Sequence, residues 1–202
     1  MSAPPTPPTA IHPDLSMDRL QAVANLIDDV WVRTRESHNE EEGDGLWGFG
    51  CRLYDRLRTR LRWRSVDLSW LRIIEGDMHF VFTVGSVPVR FYRGRARRVK
   101  VGYLNRRAPE LQQQQLAFGM VAREMAVVYR IAVEASFEDK HPRIVLVRQT
   151  LATGESAEVF EIDVTKSAKR TAPSFRKPPV PIQRPVVAKK RPKKQTKDNE
   201  GA

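Results

Sequence analysis

A single cysteine, Cys51, excludes an intramolecular disulfide and any zinc site built on several thiolates. Lysine is nearly missing from most of the chain. Before residue 166 only Lys100 and Lys140 occur, and the other side-chain cations there, histidine aside, are arginines. Long apolar runs are missing too, since the most apolar stretch, Met78 to Val89, is too short to span a bilayer. No basic start followed by an apolar run is present, so neither signal peptide nor membrane contact is expected, and the expected compartment is the cytoplasm. The four histidines, His12, His38, His79 and His141, show no metal-ligand spacing. Each is expected at the surface, with no metal and no other cofactor.

What is present divides unevenly along the 202 residues. Residues 1–13 hold five prolines and no charge, and residues 166–202 hold twelve Lys or Arg against Asp198 and Glu200. Neither segment has enough large apolar groups to offset chain entropy, so both are expected to be disordered, over 1–14 and 166–202. One domain is expected over 15–165, which is long enough for a sizeable core. Residues 1–165 are close to neutral, with 23 basic and 22 acidic residues, so most of the net charge of +11 belongs to the tail.

Hydrophobic periodicity then assigns the elements. Leu20, Val23, Ala24, Ile27, Val30 and Trp31 recur at helical steps behind a start that Ser16 or Asp14 is able to cap. A second helix is expected over Phe49 to Arg62, with Leu53, Leu57 and Leu61 inward. Its other face carries Arg52, Arg56, Arg58, Arg60, Arg62 and Arg64. Leu71–Ile74, Met78–Val84, Val87–Tyr92, Tyr129–Ala135, Arg143–Thr150 and Glu158–Val164 have strand composition. Gly85-Ser86 suits a two-residue hairpin turn, and Pro88 predicts an edge strand or a bulge. Pro109 opens a third helix, expected through Glu124, on which Phe118 is in step with Leu111. The fold class is α+β, a mostly antiparallel sheet packed by two or three helices.

Catalytic machinery is hard to find. Gly48-Phe49-Gly50 begins like a dinucleotide loop, but Leu53 stands where a third glycine belongs and no strand precedes it. Cys51 has no histidine nearby in sequence to act as its base and is expected to be a small buried side chain. Glu138-x-Lys140, with Asp77 as a further carboxylate, has the spacing of a metal-dependent nuclease motif, but here it precedes His141-Pro142 in a turn. No catalytic residue is expected.

The most informative segment is Glu110-Leu-Gln-Gln-Gln-Gln-Leu-Ala-Phe118. Within it, Gln113-x-x-Leu116-x-Phe118 resembles the short peptide by which bacterial replication proteins bind the sliding clamp of DNA polymerase. An apolar pair oriented by one glutamine amide is a sensible recognition unit. On an ideal helix, however, residues two apart face nearly opposite ways, so the motif works only if the segment is extended or unwinds on binding. A basic chain of this size with such a peptide and no enzyme motif resembles the SocB-type toxins of an atypical toxin–antitoxin system. The resemblance implies a toxin that binds the clamp, competes with clamp clients and blocks replication elongation. It also implies an antitoxin acting as a proteolytic adaptor that delivers the toxin to ClpXP. Gln113, Leu116 and Phe118 carry it, although Gly119 stands where the commoner form of the motif has Phe.

Two alternatives remain. The basic tail, with Lys189, Lys190, Arg191, Lys193 and Lys194, and the connector Arg93 to Arg107 suit non-specific nucleic-acid contact, and the tail also suits a protease handle. The nuclease is the other.

Overall fold

The computed structural model describes residues 7–97, 105, 107–119, 127–151 and 156–164. The chain divides into two units, Met1–Lys166 and Ser167–Ala202, and every described residue belongs to the first. The expected disorder of residues 1–6 and 166–202, and the tail bases Lys189, Lys190, Arg191, Lys193 and Lys194, lie outside the described residues.

The protein is α+β. Helix α1 spans Pro8–Ile11, α2 Met17–Glu36, α3 Leu46–Asp67 and α4 Ala108–Phe118. Strands β1 Ile73–Glu75, β2 Val81–Val84, β3 Val87–Arg93, β4 Val127–Glu134, β5 Arg143–Thr150 and β6 Ser156–Glu161 form one sheet in sequence order. All neighbours run antiparallel except β3 and β4, which are parallel and joined across α4. A parallel pair needs a long crossover, and α4 lies in it.

Alternation along each strand decides the two faces of the sheet. Val87, Val89 and Phe91 on β3, Tyr129, Ile131 and Val133 on β4, and Ile144 and Leu146 on β5 pack into the main core. Against them sit the apolar stripes of α2 and α3, including Leu20, Ile27, Trp31, Phe49, Leu53, Leu57 and Leu61. The indole of Trp31 is fully buried, and its N–H donates to the Asp139 carbonyl at 3.0 Å, so the largest core side chain leaves no polar atom stranded. The opposite face carries a smaller cluster of Tyr92, Ala96, Val128, Ala132, Val145 and Val147.

Several expectations change. Residues 7–14 are docked rather than disordered. Pro8 is buried in α1, and the His12 ring holds the segment down, with Nε2 donating to the Ala117 carbonyl at 3.0 Å and Nδ1 accepting the Asp14 amide at 3.1 Å. Asp14 turns to the β2–β3 hairpin, and Ser16 stands at the N-cap without a side-chain cap bond. The strand bearing Pro88 is interior. Pairing with β4 begins only at Arg90, so the missing proline amide falls where no ladder bond is required. Helix α4 stops at Phe118 because Gly119 takes a left-handed φ of 61°. Its fully buried positions are Glu110 and Gln114, whereas the expected apolar residues Leu111 and Phe118 are only half-buried. Cys51 is exposed, two residues from the inward Phe49 and Leu53 and hence on the outer face of α3. His38 is buried, packed against Phe49 and Phe137.

Glu110 owes its burial to Arg130. The two side chains form an ion pair at 2% and 1% exposure, and Gln114 adds a bond from Nε2 to the Val127 carbonyl at 3.0 Å. Burial pulls the Arg130 guanidinium below its ordinary range and Arg90 adds to that, while the Glu110 carboxylate pushes back. Breaking a buried pair leaves one charge uncompensated, so Arg130→Ala should cost about 3–5 kcal/mol in urea unfolding. Replacing Glu110 and Arg130 together by Leu and Met should recover much of that loss. A single variant as stable as the parent would remove the pair from the account of how α4 is held.

Candidate nucleic-acid interface

Helix α3 carries its arginines because its buried stripe, Phe49-Leu53-Leu57-Leu61, occupies one side only. Several of those guanidiniums are occupied within the fold. Arg58 and Arg62 both donate to the Gly76 carbonyl, the former at 2.6 Å. Arg52 bonds Asp44 at 2.6 Å and His38 Nδ1 at 3.1 Å. Arg56 reaches the last turn of α2, donating to the Arg33 carbonyl at 3.3 Å and to the Ser37 hydroxyl at 2.8 Å. These arginines tie α3 to its neighbours as much as they charge its surface.

Between α2 and α3 lies an open groove of about 480 Å³. From α2 come Val30 and Arg33, and from α3 come Asp55, Arg56, Thr59, Arg60 and Trp63. Trp63 is 45% exposed, with the Arg60 guanidinium 5.6 Å from its ring centroid. Asp29 lies 3.0 Å from Arg33 and 4.0 Å from Arg60, which fixes both heads at the rim. Guanidiniums around a half-exposed indole are the ingredients of a site for stacking and for anions. The arginine face of α3 was legible in the sequence, but the contribution of α2 was not, because Arg33 gives no signal of its own.

The residues of the glutamine-rich motif are separated by the fold. Gln113 points inward, its Nε2 donating to the Ser86 carbonyl at 2.9 Å. Phe118 packs against the main core, stacked on Tyr129 with centroids 5.5 Å apart and set edge-on to His12 at 5.1 Å. Leu116 faces outward at 73% exposure. Helical geometry accounts for the division.

Of the connector, Arg107 pairs with Glu75 at 3.4 Å, and the Arg93 guanidinium covers Trp31 and Phe49. Arg95 and Arg97 are exposed, and residues 98–104 and 106 lie outside the described residues. Glu138 and Lys140 occupy the turn between β4 and β5, while Asp77 precedes β2. His141, beside them, bonds the buried Asp28 at 2.7 Å. Among the described residues no group of three His, Cys, Asp or Glu side chains is placed to hold a metal, and no helix is long and apolar enough to cross a membrane. Gly48, Phe49 and Gly50 are helical, within α3.

No protein-family model, no curated protein and no solved structure matches this chain.

The hairpin that receives Gln113 is a hub. Gly85 takes a φ of 63°, and a Cβ there would lie 2.3 Å from the Asp14 side chain. Asp14 accepts the Ser86 amide at 2.9 Å and the Ser86 hydroxyl at 2.7 Å, and it pairs with Arg19. The Ser86 hydroxyl, then Arg19, lower its carboxyl pKa to about 2. A depressed native pKa stabilises fully above the unfolded value, near 3.8, and the gain is lost as pH falls through about 2. Thermal melts between pH 4 and pH 2 should therefore show a loss that Asp14→Asn lacks, on the order of 1 kcal/mol for this partly solvated carboxylate. Parallel pH curves for parent and variant would overturn it.

Proposed function

We propose that this chain is a nucleic-acid-binding protein that acts without catalysis. The observation that carries the reading is the α2–α3 groove, rimmed by Arg33, Arg56 and Arg60 and walled by Trp63. Its support is the net charge of +11, most of it in residues 166–202, where Lys189, Lys190, Arg191, Lys193 and Lys194 are part of a strongly basic composition. A lysine-led tail concentrates the polyanion, and planar guanidiniums beside an indole orient it. Anisotropy of labelled oligonucleotides with the full chain should show affinity falling linearly on a log–log plot against salt, because each neutralised phosphate releases counterions. Absence of binding at low salt would sink this reading.

A second reading has one observation in its favour. Leu116 stands 73% exposed on a helix held by polar bonds and by Phe118, at the centre of Gln113-x-x-Leu116-x-Phe118. On this reading the protein is a toxin that occupies the cleft of the replication sliding clamp and competes with its clients, with removal through an adaptor and ClpXP. Binding through all three residues requires α4 to unwind, because Gln113 and Phe118 are engaged within the fold. Gln113, polar and superficially the cleaner probe, holds the Ser86 carbonyl, so its loss also perturbs the hairpin. Leu116→Ala is the better test. It should leave the melting temperature unchanged and cost roughly 2 kcal/mol of clamp affinity. Clamp affinity equal to that of the parent would remove the second reading.

A further inference from the structure

We infer that the α2–α3 groove takes an unpaired nucleobase stacked on Trp63, so that the protein favours single-stranded over duplex nucleic acid. The inference rests on the nucleic-acid reading and assigns that site its substrate class. Trp63 offers an exposed ring, and the groove of about 480 Å³ is the size of sites that take small ligands. Its lining combines the buried Val30 with the exposed Thr59, apolar beside polar, as the face and edge of a base require. Every unpaired base presents a π-face, whereas bases within a duplex have theirs covered by neighbours.

The charges in the groove argue for a base rather than an acidic side chain. Asp29 neutralises part of Arg33 and Arg60, and Asp55 lines the site at 73% side-chain exposure. With these two carboxylates set against the guanidiniums, the groove has little excess charge to hold an anion and accepts a neutral ring. Phosphates are then left to the rim and beyond, where Arg56, Arg60 and Arg64 recur every fourth residue along α3, about 6 Å apart. A neutral base inside and anionic phosphates along the helix match this arrangement. An acidic peptide does not, because its charges would meet Asp29 and Asp55.

The test compares the full chain with Trp63→Ala and Trp63→Phe on an unstructured homopyrimidine strand and on a duplex of equal length, at one salt concentration. Trp63→Ala should weaken single-strand binding about tenfold and leave duplex binding and melting temperature unchanged, with Phe restoring most of the loss. An equal loss on both ligands would overturn stacking. Unchanged binding of both, with the salt dependence intact, would overturn stacking on Trp63 while leaving the nucleic-acid reading to the arginines of the groove and the basic tail. No binding of either ligand by the parent would end both. Trp63-dependent binding of a labelled polyglutamate peptide in preference to the strand, or a change of oligomeric state in Trp63→Ala, would reassign the groove to an acidic partner or to a second copy.

Discussion

Arg130 sits in the middle of the sheet with its guanidinium almost wholly out of water, and the placement of α4 follows from what that charge requires. Parallel pairing of β3 with β4 sets Arg90 opposite Arg130, so two cations share one region of the sheet. A carboxylate must come to Arg130, and Glu110 brings it from the first turn of α4. Once that turn is placed, Gln114 meets the Val127 carbonyl, Gln113 meets Ser86, and Phe118 arrives between Tyr129 and His12. The crossover, the hairpin and the N-terminal segment are therefore coupled through one helix that docks largely by polar bonds. Such a helix has high geometric specificity, because each bond has a direction that apolar contact lacks.

The arginines of α3 divide into two uses. Those near the loops satisfy carbonyls that the fold exposes, at Gly76 and at the C-terminal turn of α2, where cations also meet the negative end of a helix. Arg60, beside Trp63, is held at the rim of a groove together with Arg33 of α2 by the Asp29 carboxylate. The same residue type thus builds the domain at some positions of the helix and charges its surface at others. This explains why arginine displaces lysine before residue 166: planar, multiply donating heads cap carbonyls and stack on rings, and an ammonium does neither as well. The lysine-led segment beyond residue 166 has a composition suited only to long-range attraction.

Much of the fold was legible because burial leaves a local imprint. The stripe Leu20-Val23-Ala24-Ile27-Val30-Trp31 specified α2, and Leu53-Leu57-Leu61 specified α3. All six strands overlap the segments that strand composition marked, with β1, β2, β4 and β6 shifted or shortened at their ends, and Gly85-Ser86 turns between Val84 and Val87. The candidate site was half legible. The arginine row on α3 is visible in the sequence, whereas its conversion into a groove depends on Val30 and Arg33 arriving from α2.

What only the tertiary structure decided concerns residues whose partners are distant in sequence. Glu110 and Gln114 look like surface residues of a polar helix and are among the most buried side chains, because Arg130 and the Val127 carbonyl await them. Residues 7–14 look unfoldable by composition and are docked, because His12 and Asp14 find Ala117 and Ser86 across the fold. The glutamine-rich motif looks like one recognition unit, and the helix turns Leu116 to solvent while Gln113 and Phe118 serve the interior. Apolar periodicity reports which face of an element leaves water, so the sequence by itself determined the elements and their inward sides. Hydrogen bonds and ion pairs report only which group lies opposite, and that is settled when the chain closes on itself.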